Sequence, residues 1–379
     1  MGAIERWVYL DHNATAPVKP EVIVAISEAL AECGNPSSVH RFGRRARRLI
    51  EDARDQVAAS IHVSPDAVIF TSGGSEANAL ALALASSRPV LLGATEHDSV
   101  LKAASHAARI PVDAGGIIRR EALRELLASA GAQAFVSIQL ANNETGVIQP
   151  IRELADMVHA AGGLLHMDAA QAPGRIPVEC VGLGADLVTL SAHKMGGPQG
   201  VGALIVLADL TPMPIVRGGG QERGWRAGTE NLPGIVGFGR AAELACCDLE
   251  RTATMRALRD QLERQILRLA PSAPVHGAAS PRLPNTSCIG MPGLDSETQV
   301  MGFDLAGIAV SAGSACSSGK LRRSGVLEAM GVAPVDADSA IRISLGGTTT
   351  AAEIDRFCET WAALYRRSES DRAARAKAS

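Results

Sequence analysis

The 379-residue sequence has no surplus of either charge: 37 Lys and Arg against 40 Asp and Glu leave a formal charge of −3. That balance excludes a global attraction to nucleic acid or to an anionic membrane, so no direct nucleic-acid partner is expected and partners must be argued from sites. No apolar run is long enough to cross a bilayer without a polar residue or proline. The start lacks the apolar core of a secretion signal, because Glu5 and Arg6 precede a short strand-like Trp7-Val8-Tyr9-Leu10. Gly2 does not make a myristoylation signal, since Arg6 stands where Ser or Thr is needed. The expectation is a cytoplasmic protein with no membrane partner. The 7 cysteines are odd in number, scattered and free of any Cys-x-x-Cys pair, which excludes a disulfide framework and a zinc knuckle. None of the 9 histidines forms a metal-ligand pair, so no metal is expected, and no internal repeat is evident.

What the chain does have is size and pattern. With 46% hydrophobic residues it can bury a large core, enough for one large domain and a smaller one. From about residue 66, short apolar runs alternate with amphipathic stretches. The runs are Ala67–Phe70, Val90–Leu92, Phe135–Ile138, Gly163–Met167, Leu187–Leu190 and Val201–Val206, and Glu121–Ala130 and Ile151–Ala161 have apolar residues three and four apart. The pattern predicts an α/β fold with a mainly parallel sheet covered by helices, and ligands at the strand ends. A helical stretch over 234–269 leads into a second unit, with the boundary near 250. The last helix is predicted over 351–366, followed by a frayed charged tail, 367–379.

Three segments carry chemistry. Thr71-Ser72-Gly73-Gly74-Ser75-Glu76-Ala77-Asn78 follows a strand and opens a helix, which suits an anion such as phosphate; a plain glycine turn with Ser75 as N-cap fits the residues equally well. Asp168 and Lys194 each end a strand-like run. Either alone is an ordinary solvated turn residue. Together with Gln171, Ser191, His193 and Gly196-Gly197-Pro198-Gln199-Gly200 they point to pyridoxal 5'-phosphate, whose ring nitrogen needs a carboxylate and whose aldehyde needs a lysine. Arg342 lies on the strand-like Ile341–Leu345, where its paired donors suit a carboxylate, although a surface arginine on a half-exposed strand is the alternative.

These segments resemble the class V aminotransferase-fold enzymes, and within them the cysteine desulfurases of the NifS/IscS kind. The resemblance covers nearly the whole chain. It runs from Leu10-Asp11-His12-Asn13-Ala14-Thr15 through Gly34-Asn35-Pro36-Ser37-Ser38-Val39-His40, Thr95-Glu96-His97 and Asn142-Asn143-Glu144-Thr145-Gly146. It continues through the Asp168 and Lys194 segments and Arg226-Ala227-Gly228-Thr229 to Ile341–Gly346. His12 and Ala16 depart from the pattern at positions that read as peripheral. The resemblance implies the fold type I architecture of pyridoxal-phosphate transferases, like aspartate aminotransferase. It would have a mainly parallel seven-stranded sheet in a large domain (16–250), a smaller α+β domain (251–379), and residues 1–15 packed against the smaller one. It implies Lys194 as the Schiff-base lysine, Asp168 as partner of the pyridine nitrogen, and Gln171 as donor to the ring oxygen. Gly74, Ser75, Ser191 and His193 would hold the phosphate, completed by Thr229 of a neighbouring subunit, hence a homodimer. His97 would stack on the ring and move protons, Asn143 would lie near cofactor and substrate, and Arg342 would bind the substrate carboxylate.

Cys316 narrows the reaction. It lies in Ser311-Ala312-Gly313-Ser314-Ala315-Cys316-Ser317-Ser318-Gly319-Lys320, small residues without apolar periodicity that predict an exposed, mobile loop over about 311–323. The pattern resembles the loop cysteine of the first desulfurase group; the Arg-Ala-Gly-His-His-Cys of the second group is absent. The implied activity is removal of sulfur from L-cysteine, with Lys194 taking the Cα proton and the Cys316 thiolate attacking sulfur to leave alanine and a persulfide for an acceptor protein. Aminotransfer and selenocysteine cleavage on the same scaffold are the alternatives. The basic Lys320-Leu321-Arg322-Arg323 is either a solvated face or a mark of an acidic or polynucleotide-bound acceptor. Iron–sulfur assembly, tRNA thiolation and DNA phosphorothioation all remain open as destinations of the sulfur.

Overall fold

A computed structural model describes residues 7–85, 88–131, 133–313 and 323–378, with backbone alone beyond 370. Seven strands form the main sheet, numbered in chain order with β1 reserved for Val8–Tyr9. In spatial order they are β2 (Val68–Thr71), β8 (Gly202–Val206), β7 (Leu187–Ser191), β6 (Leu164–Asp168), β5 (Phe135–Gln139), β3 (Val90–Gly93) and β4 (Ala108–Ile110). Of these, β8 runs against both its neighbours, and the pairs from β7 across to β4 are parallel. The central strands β5 and β7 are buried at every residue, as a sheet covered on both faces requires. The polar side chains admitted there satisfy one another: Ser137 Oγ and Thr189 Oγ1 flank the two ring nitrogens of His166 at 2.9 and 3.0 Å.

The covering helices follow the apolar spacing. In α6 (Ile151–Ala160) the buried residues are Ile151, Leu154, Ala155 and Val158, one face of a helix. The predicted helix over 234–269 is two helices, α8 (Leu232–Asp248) and α9 (Thr252–Leu269), separated by a single 3-10 turn at Leu249–Arg251. The break lets them serve different cores. Ile235, Phe238 and Ala242 of α8 join the main core. Leu258, Leu262 and Ile266 of α9 join a second one with Val8, Leu10, Phe303, Ile341, Phe357 and Trp361.

A three-stranded antiparallel sheet, β11 (Ser311–Ala312), β12 (Ala340–Ser344) and β9 (Thr286–Gly290), stands over that second core, and β1 pairs in parallel with β10 (Ile308–Ala309). The expected frayed tail is a correction: α13 runs from Ala351 to Ala378 without interruption. Residues 367–378 contain no Gly or Pro, and Ser368 is buried with its hydroxyl on the Gly293 carbonyl at 3.1 Å. Among the described residues no helix is long and apolar enough to cross a membrane.

Candidate active site

The functional side chains converge because parallel strands end together. Asp168 closes β6, Ser191 closes β7, and Lys194 lies in the 3-10 turn that follows. At the next edge, Thr71, Gly202 and Ser191 pair in one row across β2, β8 and β7. Gly202 is required there: a Cβ would come within 2.6 Å of the Gly73 carbonyl carbon and 2.7 Å of the Leu190 oxygen. The absent side chain lets the Gly73-Gly74 turn settle beside Ser191. Gly73, not Ser75, caps α3 (Gly74–Ala83), at φ 152°. The result is a cleft of about 380 Å³ lined by Gly73, Gly74, Ser75, Ser191, His193 and Thr15. Gly74, Ser75 and Glu76 of the first helical turn, where N–H groups have no partner within a helix, border it. Burial, with Lys194 and Arg175 nearby, pulls the His193 imidazole down to about 4, so at neutral pH it is an uncharged hydrogen-bonding group, with Nδ1 3.2 Å from Thr15 Oγ1.

Asp168 is buried and held in a defined orientation. Its Oδ1 accepts from the Ala170 N–H at 2.9 Å and its Oδ2 from Asn78 Nδ2 at 2.8 Å. The same amide donates to Ser99 Oγ at 2.9 Å, and Ser99 Oγ stands 2.8 Å from His97 Nδ1. The Ser99 backbone N–H also donates to Nδ1 at 3.1 Å, which places the proton of neutral His97 on Nε2. A continuous polar chain therefore links Asp168 to His97. Glu96, adjacent to His97 in the sequence, is buried, and burial beside Asp168 raises its pKa well above the usual carboxylate range.

Lys194 Nζ donates to the Asn13 and Ala14 carbonyls at 2.6 and 2.8 Å. Gln171 Nε2 also donates to the Asn13 carbonyl, at 3.0 Å, and its oxygen accepts from Arg175. The Asn13 side chain continues outward: Nδ2 donates to the Asn143 carbonyl at 3.0 Å and to Thr286 Oγ1 at 2.9 Å, and Oδ1 accepts from Asn285. Arg342, on β12, is buried, so the half-exposed alternative does not hold. Its Nη1 lies 3.3 Å from the same Asn143 carbonyl, its Nη2 2.7 Å from Asp11 Oδ1, and its Nε has no partner among the described residues.

The structure thus gathers Lys194, Asp168, Gln171, Ser191, His193, Gly74, Ser75, His97, Asn143 and Arg342 on one edge. Thr229 is exposed and does not line the cleft of its own chain, while its neighbour Arg226 is bound to Glu76 at 2.8 Å. The exposed loop expected over 311–323 is corrected at its start, where Ser311–Ala312 are the buried strand β11, held by pairing with β12; residues 314–322, with Cys316 and Lys320 to Arg322, lie outside the described residues. The residues themselves did not single out Asn13, Arg175, Asn78 or Ser99. Asn13 and Asn78 stood inside recognised segments, but the signal that distinguishes them, contacts across 90 to 331 positions, exists only in the fold. His12 is not peripheral: it is buried with its ring against Gly346, and its carbonyl accepts from Arg175 at 3.1 Å.

A family model described as class-V aminotransferase matches residues 8–357. The chain belongs to this family. Members use pyridoxal 5'-phosphate, and the cleft fits it: a helix N-terminus and hydroxyls for phosphate, a buried carboxylate and a lysine at adjoining strand ends. Among curated relatives, a protein named cysteine desulfurase from Cereibacter sphaeroides is 46% identical over 93% of this chain and 94% of its own. One of the same name from Trichormus azollae is 39% identical over 95% and 93%. A NifS-like protein from Rickettsia africae superposes with a TM-score of 0.90 at 37% identity, covering 95% of this chain and 99% of its own.

Proposed function

We propose that the chain is a cysteine desulfurase: it takes sulfur from L-cysteine, releases L-alanine and carries the sulfur as a persulfide on Cys316. One observation carries the reading. The Asn13 carbonyl receives Lys194, the Asn13 side chain donates to Asn143, and the Asn143 carbonyl receives Arg342, so only two residues separate a proton-moving amine from a carboxylate-binding guanidinium. An α-amino acid presents its Cα proton and its carboxylate at that scale.

When bound, pyridoxal 5'-phosphate supplies an electron sink and an aldehyde for an amino group. Ser75, Ser191 and His193 would hold its phosphate, with Gly74 giving room, and Asp168, oriented by Asn78, would keep the ring nitrogen protonated. Gln171 would donate to the ring oxygen, and Asn143 would line the substrate side. Arg342 would hold the substrate carboxylate, Lys194 would remove the Cα proton, and His97, with its proton on Nε2, would stack on the ring and move protons. The Cys316 thiolate attacks the substrate sulfur; the carbon–sulfur bond breaks, a sulfur–sulfur bond forms, and Cβ gains a proton. L-cysteine plus the enzyme thiol thereby become L-alanine plus the enzyme persulfide.

The same reading makes the enzyme a homodimer, with Thr229 reaching the partner's phosphate site, which its exposure away from its own cleft supports. It assigns residues 16–250 to the large domain and 251–379 to the small one, with 1–15 packed on the latter, in line with Val8 and Leu10 in the second core. The acceptor is a sulfur-carrying protein. Free Cys33, Cys180, Cys246, Cys247, Cys288 and Cys358 suit the reducing cytoplasm. The test is Cys316→Ser, measured for alanine and for sulfide released by a thiol reductant. Both should fall at least about 100-fold. Full activity would overturn the persulfide mechanism and favour a reaction in which Cys316 is dispensable, as in aminotransfer or selenocysteine cleavage on the same scaffold.

A further inference from the structure

Arg342, which the proposed function gives to the substrate carboxylate, already holds a resident one. Asp11 Oδ1 accepts from Arg342 Nη2 at 2.7 Å, with the side chains 16% and 5% exposed respectively. The second oxygen, Oδ2, accepts from Ser311 Oγ at 2.8 Å. Asp11 is fixed from the backbone as well: it bridges in parallel to Ser344, and its carbonyl accepts from Tyr9 Oη at 3.2 Å. Ser311 stands opposite Arg342 in the β11–β12 register. The carboxylate therefore cannot swing aside without breaking both of its hydrogen bonds, to Arg342 and to Ser311.

The guanidinium is only half engaged. Nε and Nη2 form the edge that grips a carboxylate with two parallel bonds. Asp11 takes Nη2, while Nε is buried with no partner among the described residues. An incoming carboxylate meets a fork with one prong occupied by a fixed negative charge in a site of low dielectric, where like charges repel strongly. It gains Nε and must share or displace Nη2.

We propose that Asp11 is a resident competitor for the substrate carboxylate, acting through Arg342 to limit how tightly any amino acid is held. Because L-cysteine and L-alanine carry the same carboxylate, the penalty falls on substrate and product alike; it weakens binding uniformly and speeds departure of the product.

The measurement is calorimetric binding of L-alanine to the holoenzyme, alongside KM for L-cysteine. Asp11→Asn keeps the oxygen toward Ser311 and removes the charge. It should bind L-alanine about tenfold tighter, which is about 1.4 kcal/mol, with KM falling in parallel and kcat not rising. A merely structural Asp11 predicts the opposite sign, and unchanged or weaker L-alanine binding overturns the proposal. If Asp11→Asn does not fold, Asp11→Glu decides: it pushes a carboxylate further onto the fork and should weaken L-alanine binding, and unchanged binding overturns the idea. Arg342→Lys separates this inference from the reading on which it rests. Unaltered L-alanine affinity in that variant removes Arg342 from the substrate site and the proposal with it. Lost affinity there, with no change in Asp11→Asn, rejects Asp11 alone.

Discussion

Asn78 does its work with one amide group. Nδ2 donates to Asp168 and to Ser99, so a single side chain orients both the carboxylate that the proposed function gives to the ring nitrogen and the hydroxyl that supports His97. Asn78→Ala leaves a buried carboxylate short of a charge-assisted bond, a loss of about 1.5–3 kcal/mol. The cofactor dissociation constant, read by titrating the apoenzyme, should rise by roughly 10- to 150-fold. An unchanged constant would mean that Asp168 is oriented by its own turn alone. Lys194 and Asp168 were legible in the sequence because each closes a run of apolar residues and their chemical types are rarely paired so. Asn78 was not, since an asparagine four residues into a helix looks the same whether it faces water or a carboxylate 90 positions away.

At the scale of elements, the strands were the readable part. Leu187–Leu190 and Phe135–Ile138 lie inside β7 and β5, because a strand buried on both faces must be written almost wholly in apolar residues. The edge strand β4, three residues with Ala108 exposed, left no such signature. Nor did the boundary between α8 and α9, where the 3-10 turn is built from Leu, Glu and Arg, all acceptable in a helix. What decides that break is which core each half covers. The β2–β8–β7 row makes its own prediction. Gly202→Ala drives a methyl into the Gly73 backbone and should push the cradle loop from Ser191, at a cost of about 1–3 kcal/mol of stability. Phosphate affinity should suffer more than L-cysteine affinity, so excess cofactor should restore activity; failure of excess cofactor to do so would place the damage elsewhere.

Across the whole molecule, two buried histidines and the half-buried His193 set a pH limit. His12, His166 and His193 are each lowered from 6.5 to about 4, chiefly by burial, aided by Arg175 at His12 and by Lys194 and Arg175 at His193. A folded-state value below the unfolded one means that the unfolded chain binds more protons between those limits. Stability is therefore complete above pH 6.5 and is lost as pH falls toward 4, by up to about 1.4 kcal/mol per pH unit for His12 and His166 each, and by less for His193, whose partial exposure lets solvent screen it. Denaturant midpoints at pH 7 and pH 5 measure this. His166→Gln, which leaves partners for Ser137 and Thr189, should flatten the slope by about one proton, and an identical slope would show that His166 does not contribute.

The path of residues 8–16 has a further consequence, for the order in which the molecule is made. The segment leaves the ribosome well before two of its partners, Ala309 for Leu10 and Ser344 for Asn13, the latter 331 positions further along. Closing so long a loop is slow and entropically costly. The main sheet can form on a nascent chain, and Gln171, Arg175 and His193 already reach residues 12–16, but the Ser344 anchor of Asn13 is added only once the second core has been made.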